Sequence, residues 1–240
     1  MTYVISDLHG CHPDKVTGLF DRASFSASDD LFILGDVIDR GDYGIDLLKM
    51  IMKESNMYMI LGNHEAMMSA CSFIIGEITD ESVNGLERGG LSTYYNWLYN
   101  GGQPTVDALS ALPQHEREAV FDFVFDLPLY ECATVGERDF IFTHSGLGGF
   151  SKDKKIADYS SNELLWTRPM LRDRYYEDVT VVFGHTPTRF YGAQYDGHAV
   201  RTDTWINADA GCACGNDPVM IRLDDMVEFS SEGERMLRIV

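Results

Sequence analysis

The chain has 240 residues and a formal net charge of −19, since 19 Lys and Arg stand against 38 Asp and Glu. With 45% hydrophobic and 24% charged residues, the composition is that of a globular protein with a packed core. The excess of negative charge argues against a protein that binds nucleic acid through its phosphates or docks on an anionic membrane, because both tasks need basic surfaces.

The same sequence predicts a cytoplasmic protein. No apolar run approaches the roughly 20 residues that cross a bilayer, and the first residues lack the basic and apolar regions of a secretory signal. Five scattered cysteines favour reduced thiols over a disulfide framework. Cys212 and Cys214 form a lone pair without a second pair to complete a zinc site, so we interpret them as loop thiols whose role the sequence leaves open. The sequence does not indicate an oligomeric state.

The first 70 residues alternate between predicted strands and helices. Short β-rich runs at 3–6, 31–34 and 58–61 are each followed by a helical pattern, around 13–23, around 45–52 and after Asn63. A repeated strand–helix order predicts right-handed βαβ units with a parallel sheet.

The middle of the chain, about 70–130, has a different pattern. Glycine-rich breaks at 87–90 and 101–102 precede two amphipathic helices, around 105–112 and 113–125. The apolar face of the second helix is interpreted as core and not as a ligand site. We therefore predict a helical cap inserted over the main sheet.

The last part of the chain returns to consecutive strands. The complete prediction is an α/β (α+β) chain that forms a single domain over 1–240, with two sheets packed face to face, helices outside them and the cap at about 70–130. The predicted late strands are 140–142, 179–183, 205–206, 219–221, 227–229 and 236–240.

Polar motifs follow five of the predicted strands at the point where each strand ends. In open α/β sheets, ligands bind beyond the carboxyl ends of the strands, so we expect these side chains to converge. Glycines in the motifs let the backbone turn sharply and approach the site closely. The motifs are Asp7-Leu8-His9-Gly10, Gly35-Asp36-Val37-Ile38-Asp39-Arg40-Gly41, Gly62-Asn63-His64-Glu65, Thr143-His144-Ser145-Gly146 and Gly184-His185-Thr186-Pro187.

Six side chains in these motifs are candidate metal ligands. They provide oxygen and imidazole nitrogen without thiolate, which suits Mn, Fe or Zn. One ion rarely takes six protein ligands, whereas two ions that share a carboxylate use them naturally. The candidates are Asp7, His9, Asp36, Asn63, His144 and His185.

The ordered set of motifs resembles the phosphoprotein phosphatase family of calcineurin-like metallophosphoesterases, over residues 7 to about 211. The size of the chain and the stretch 164–168 are similar to the small bacterial and phage members. This resemblance implies a four-layer sandwich, a dinuclear Mn, Fe or Zn centre and phosphomonoester hydrolysis by a metal-bridging hydroxide without a phosphoenzyme. It assigns Asp7, His9 and Asp36 to the first ion, makes Asp36 the bridge, and assigns Asn63, His144 and His185 to the second ion.

The resemblance also implies roles for residues that are not metal ligands. Arg40 and Arg168 would bind the phosphate oxygens through their planar guanidinium groups, with Asn63 also at the substrate. His64 would be the acid that protonates the leaving group, and Asp39 would hold its other ring nitrogen.

Three functions are compatible with this set. The first is a metal-dependent protein serine/threonine phosphatase, which acts on phosphoproteins or small phosphate esters. The second is a hydrolase of dinucleoside polyphosphates such as diadenosine tetraphosphate. The third, an inactive phosphopeptide-binding scaffold, is disfavoured because the ligand set and His64 are complete. The acid at Asp39 favours the first function, since symmetrical tetraphosphatases usually lack an acid there. The segments 207–211 and 212–215 depart from the family pattern. We expect these departures to affect the rim of the pocket, and hence the choice of substrate.

Overall fold

The computed structural model describes residues 1–76 and 88–240. Within these ranges the backbone forms eleven strands and seven α-helices. The strands are β1 (Thr2–Ile5), β2 (Asp30–Ile33), β3 (Met57–Met59), β4 (Tyr130–Val135), β5 (Arg138–Thr143), β6 (Val179–Phe183), β7 (Val200–Arg201), β8 (Trp205–Asn207), β9 (Met220–Arg222), β10 (Val227–Ser230) and β11 (Gly233–Met236). The helices are α1 (Pro13–Ala23), α2 (Gly44–Ile51), α3 (Asn63–Ser69), α4 (Arg88–Trp97), α5 (Gln103–Ser110), α6 (Gln114–Phe125) and α7 (Ser161–Leu165).

The strands form two mixed sheets, as predicted. The first sheet has the order β11-β10-β9-β1-β2-β3, and the second has the order β4-β5-β6-β8-β7. Strands β1, β2 and β3 pair in parallel, which follows from the helical connections between them. In the second sheet β5, β6 and β8 are parallel, whereas β4 and β7 are antiparallel edges.

Alternating side chains bury both faces of each sheet. From β1, Tyr3 and Ile5 pack towards the helices, whereas Val4 packs between the sheets against Phe142 and other β5 and β6 residues. From β6, Val181 packs on the outer face of the second sheet. Two layers of sheet thus lie between two outer layers, and the predicted sandwich is confirmed.

The middle helices pack on the outer face of the first sheet. Trp97, Leu109 and Phe121 belong to the same core cluster as Ile5 of β1. The predicted break at 87–90 is wrong where the structure describes it, because helix α4 begins at Arg88 and runs through both glycines. Part of the predicted cap, residues 77–87, lies outside the described residues.

The second predicted break, at 101–102, is present: a π-helical turn over Leu98–Gly102 joins α4 to α5, and the chain kinks at Gly101, whose backbone is not helical. Gly101 has a φ of 102°, which glycine adopts readily. This turn brings the Gly101 carbonyl to within 2.8 Å of the backbone nitrogen of Arg40, so it connects the middle helices to the site.

Several short elements were absent from the sequence prediction. Strands β4 and β7 and helix α7 have no long apolar run, since β4 is a half-exposed edge strand and β7 has two residues. The last strand, β11, ends at Met236, whereas the sequence predicted 236–240. Among helices in the described ranges, none has the length and apolar character needed to cross a membrane.

Candidate metal centre

The loops that leave the strands have strained backbones at the candidate ligands. Asp7, His9, Asp36 and His185 all have φ between 44° and 67°, a region that residues other than glycine rarely adopt. Each such residue costs about 1–3 kcal/mol, and strain of this kind concentrates at functional sites. Gly62 lies directly against Asp36 and Glu65, so a side chain at Gly62 would collide with both.

Glu65 holds the loop that carries Asp36. Its carboxylate accepts hydrogen bonds from the backbone N–H of Asp36 at 2.8 Å, of Val37 at 2.9 Å and of Ile38 at 3.3 Å. Burial and the neighbouring Asp36 raise the pKa of Glu65 to about 7. The sequence places Glu65 in the third motif but does not indicate its function, because that function depends on a contact with a residue 29 positions away in the chain.

The first group of candidate ligands lies at the ends of β1 and β2. His9 Nε2 is 4.0 Å from Asp7 Oδ1 and 3.7 Å from Asp36 Oδ2, and all three side chains are buried. Burial lowers the pKa of His9 to about 3, so its ring is neutral and has a free electron pair at pH 7. Burial raises the pKa of Asp7 to about 6, because removal from water disfavours the charged carboxylate.

The second group lies where the ends of strands from both sheets meet. Asn63 Oδ1 is 2.8 Å from His144 Nε2 and 2.8 Å from His185 Nδ1. His144 Nδ1 donates to the Leu34 carbonyl at 2.7 Å, so in the neutral ring Nε2 is an acceptor that faces another acceptor. His144 Nε2 is also 3.5 Å from Asp36 Oδ1.

These contacts fit divalent cations. Acceptors that face one another in a buried site are stabilised by a cation between them, and a backbone carbonyl that holds the second ring nitrogen is typical of ligating histidines. His185 Nε2 is buried and has no hydrogen-bond partner among the described residues, which is unusual for a native protein. The structure brings the six predicted ligands close together, with Asp36 near both groups. The carboxylates and imidazoles that could share an ion form two clusters, His9 with Asp36 and His64, and Asp36 with His144 and His185.

His64 lies beside the first group. Its Nδ1 is 2.6 Å from Asp39 Oδ2, and its Nε2 is 3.9 Å from Asp36 Oδ2, so its ring could also reach a cation held by His9 and Asp36. Burial lowers the pKa of His64, but Asp36 and Asp39 outweigh it and raise the pKa overall. A raised pKa favours a protonated ring, which donates a proton and does not ligate metal.

The sequence did not predict the residues that hold Asp39. Trp97 Nε1 donates to Asp39 Oδ2 at 2.8 Å, and Thr105 Oγ1 donates to Asp39 Oδ1 at 2.6 Å. Asp39 itself is fully buried. It therefore contacts His64 and the helices α4 and α5, and it does not face the cleft.

The two predicted phosphate-binding arginines lie on different sides of the centre. Arg40 Nη1 is 3.2 Å from His9 Nε2, and Arg40 Nη2 is 3.1 Å from His64 Nε2. Arg168 Nη1 donates to the His185 carbonyl at 2.9 Å. Both arginines line the cleft, so both can reach a ligand at the centre.

The cleft above the centre has a volume of about 700 Å³. The sequence predicted its polar floor but missed Asp209 and Asn100, although Asn100 precedes the predicted break at 101–102 and Asp209 lies in the divergent segment 207–211. It also missed one side of the cleft, an apolar wall for which no sequence pattern gave a signal. We define the apolar wall as Trp166, Met170, Leu171 and Phe190.

Comparison with known proteins agrees with this geometry. Residues 2–211 match the family model described as "Calcineurin-like phosphoesterase". The chain belongs to this family. Members of the family are phosphoesterases that use divalent metals, and this chain is therefore a phosphoester hydrolase with candidate metal ligands in place.

Relatives in this family match the whole chain. A symmetrical bis(5'-nucleosyl)-tetraphosphatase from Buchnera aphidicola subsp. Baizongia pistaciae is 25% identical over 281 residues, covering 97% of this chain and 98% of the relative. The enzyme of the same name from Serratia proteamaculans is 25% identical, covering 98% and 95%. An asymmetrical bis(5'-nucleosyl)-tetraphosphatase from Geobacillus thermodenitrificans is 25% identical, covering 95% and 92%.

Solved structures show the same fold. A protein provisionally described as a diadenosine tetraphosphatase superposes with a TM-score of 0.65 at 16% identity, covering 95% of this chain and 91% of that chain. A protein serine/threonine phosphatase from Saccharomyces cerevisiae superposes with a TM-score of 0.52 at 15% identity, covering 96% and 72%. At such identities these likenesses concern the fold alone.

The first predicted function, a protein serine/threonine phosphatase, is wrong, because the relatives that match the whole chain are tetraphosphatases. The preference rested on Asp39. The structure shows why that residue was a poor guide: Asp39 is fully buried and bonds His64, Trp97 and Thr105, so it makes no contact that distinguishes one phosphate ester from another.

Proposed function

We propose that this protein hydrolyses dinucleoside tetraphosphates such as diadenosine tetraphosphate, with symmetrical cleavage into two nucleoside diphosphates. The observation that carries the proposal is the similarity, over at least 97% of this chain, to relatives named symmetrical bis(5'-nucleosyl)-tetraphosphatase. The cleft supports it, since about 700 Å³ exceeds what one phosphate group needs and lies within the range of ligand pockets. In this proposal residues 1–240 act as one catalytic domain.

The centre would hold two divalent ions, with Mn first among Mn, Fe and Zn. Asp7, His9 and Asp36 would hold one ion, and Asp36 would share the second with Asn63, His144 and His185; the donor set of oxygen and imidazole nitrogen supports these metals. When bound, the two ions lower the pKa of water and neutralise charge on the phosphate oxygens.

The side chains around the ions would position the tetraphosphate. Arg40 and Arg168, on different sides of the centre, would bind phosphate oxygens together with Asn63. His64 would carry a proton on Nε2 for the oxygen of the departing nucleoside diphosphate, and Asp39 would accept from Nδ1 and keep the ring oriented.

The test is an assay of diadenosine tetraphosphate with added Mn²⁺, with products separated by chromatography. We expect ADP as the product, and no turnover in Asp36→Asn, whose change removes a charge from both groups of ligands. Asp225→Asn is the matched control, because Asp225 pairs with Arg222 on the surface, outside the cleft. The proposal fails if wild-type protein hydrolyses p-nitrophenyl phosphate and leaves diadenosine tetraphosphate intact. AMP with ATP as products would overturn symmetrical cleavage.

A further inference from the structure

The apolar wall exposes large side chains inside the cleft. Phe190 is 72% exposed, Met170 is 56% exposed and Trp166 is 44% exposed. Such surface is more stable when covered, by about 25 cal/mol for each Å² removed from water. Contiguous exposed apolar surface within a cleft therefore indicates a ligand that covers it.

The wall is continuous with the candidate metal centre on the His185 side. The ring of Trp166 meets the ring of His185 edge-on, with centroids 5.9 Å apart. Arg168 follows two residues after Trp166 and donates to the His185 carbonyl. A ligand with an apolar end on the wall would thus have its anionic end at Arg168 and the centre.

Hydrogen bonds hold the backbone segment that carries Phe190. It lies in the 3-10 helix Thr188–Tyr191, which comes shortly after His185. The backbone nitrogen of Thr188 donates to the Asp209 carbonyl at 3.0 Å, and Thr188 Oγ1 donates to the Tyr195 carbonyl at 2.9 Å. The backbone that carries Phe190 is therefore already ordered before a ligand binds.

We propose that Trp166 and Phe190 bind one nucleobase of the dinucleoside polyphosphate by stacking. This inference rests on the proposed function. The four side chains of the wall carry no charge, and they match the apolar faces of a base better than they match phosphate or ribose. Stacking on aromatic rings tolerates any base, because every base has a π-face.

The position of Arg40 separates this wall from the phosphate-binding side. Arg40 lies with His9 and His64 on the other side of the centre, where the lining is polar. The phosphates would therefore extend across the centre from Arg168 towards Arg40, and the base of one nucleoside would lie on the wall.

Calorimetric titration of the Mn²⁺-loaded protein with ADP and with pyrophosphate tests the proposal. ADP should bind more tightly than pyrophosphate, and Phe190→Ala should weaken ADP binding about 5- to 100-fold while pyrophosphate binding stays the same. Trp166→Ala should have a similar selective effect. Phe125→Ala is the matched control, since Phe125 is an aromatic residue 51% exposed outside the cleft. Equal weakening of both ligands in Phe190→Ala, or equal affinity for both in the wild type, would overturn the proposal.

Tryptophan fluorescence gives a second readout. Among the three tryptophans, Trp97 and Trp205 are fully buried, so a change in emission on ADP binding should come from Trp166 and disappear in Trp166→Phe. An emission change that persists in Trp166→Phe would contradict the assignment.

The outcomes separate this inference from the proposed function. If diadenosine tetraphosphate is not hydrolysed but ADP binding depends on Phe190, the proposed substrate is wrong and the stacking site stands. If diadenosine tetraphosphate is hydrolysed and Phe190→Ala leaves ADP affinity unchanged, the stacking site is wrong and the substrate stands.

Discussion

Trp97 should support catalysis from outside the cleft through its hydrogen bond to Asp39. Trp97→Phe keeps an aromatic ring in the core but removes the Nε1–H that donates to Asp39 Oδ2 at 2.8 Å. Trp205→Phe is a matched control, because Trp205 is equally buried and its Nε1 donates at 3.0 Å to a neutral acceptor, the Asp173 carbonyl. Both substitutions remove an indole N–H donor from a fully buried side chain, so the difference between their losses in the free energy of unfolding reports on the charge of the acceptor.

The expected losses in the free energy of unfolding follow from the charge of each hydrogen-bond acceptor. A hydrogen bond to a charged group contributes about 1.5–3 kcal/mol, and one to a neutral group contributes about 0.5–1.5 kcal/mol. Trp97→Phe should therefore lose about 1–1.5 kcal/mol more in the free energy of unfolding than Trp205→Phe. For a chain of this length the extra loss corresponds to roughly 2–6 °C in Tm.

The two variants should differ more sharply in activity than in stability. Trp97→Phe leaves Asp39 with its Thr105 contact only, so the carboxylate orients His64 less well. We expect kcat for diadenosine tetraphosphate to fall about 10-fold, the lower end of what lost outer hydrogen bonds cost at metal sites. Trp205→Phe should keep wild-type kcat. The assays are urea unfolding and initial rates with Mn²⁺. Equal stability losses in the two variants, or an unchanged kcat in Trp97→Phe, would refute the reasoning.

The remaining predictions concern the ions, the phosphate and the proton. Asp36→Asn should lower the content of both ions, whereas Asp7→Asn should lower chiefly one, as elemental analysis would show; full occupancy in Asp36→Asn would contradict the shared position of this carboxylate. Arg168→Ala should raise KM, lower kcat by about 100- to 1,000-fold and retain both ions, since one aimed donor is worth roughly 2.7–4 kcal/mol in the transition state; wild-type kinetics would show that Arg168 does not bind phosphate. Burial lowers the pKa of His64, but Asp36 and Asp39 raise it overall, so activity that needs the protonated ring should decline as pH rises through that raised pKa. In Asp39→Asn the same decline should begin at lower pH, because one neighbouring carboxylate is lost, and an unshifted profile of kcat against pH would count against His64 as the acid.

Asp39 illustrates how far sequence reasoning reaches in this protein. The family resemblance implied that Asp39 contacts His64, and the structure places its carboxylate 2.6 Å from His64 Nδ1. The same residue led to the wrong substrate, because a pattern of residue types does not show which groups face the ligand. The glycine-rich stretch 87–90 failed for a related reason: packing of α4 against the core outweighs the low helix propensity of Gly89 and Gly90.

The sequence by itself determined the layered α/β order and the position of the six candidate ligands at strand ends. Parallel strands place their carboxyl ends at one edge of a sheet, so the motifs after β1, β2 and β3 converge, as do the motifs after β5 and β6, and the packing of the two sheets joins these sets. Only the tertiary structure decided what surrounds them. Trp97 and Thr105 lie 58 and 66 residues from Asp39 along the chain, and the apolar wall combines the segments 166–171 and Phe190. Contacts of this kind depend on how helices and loops pack in three dimensions, and no local periodicity encodes them.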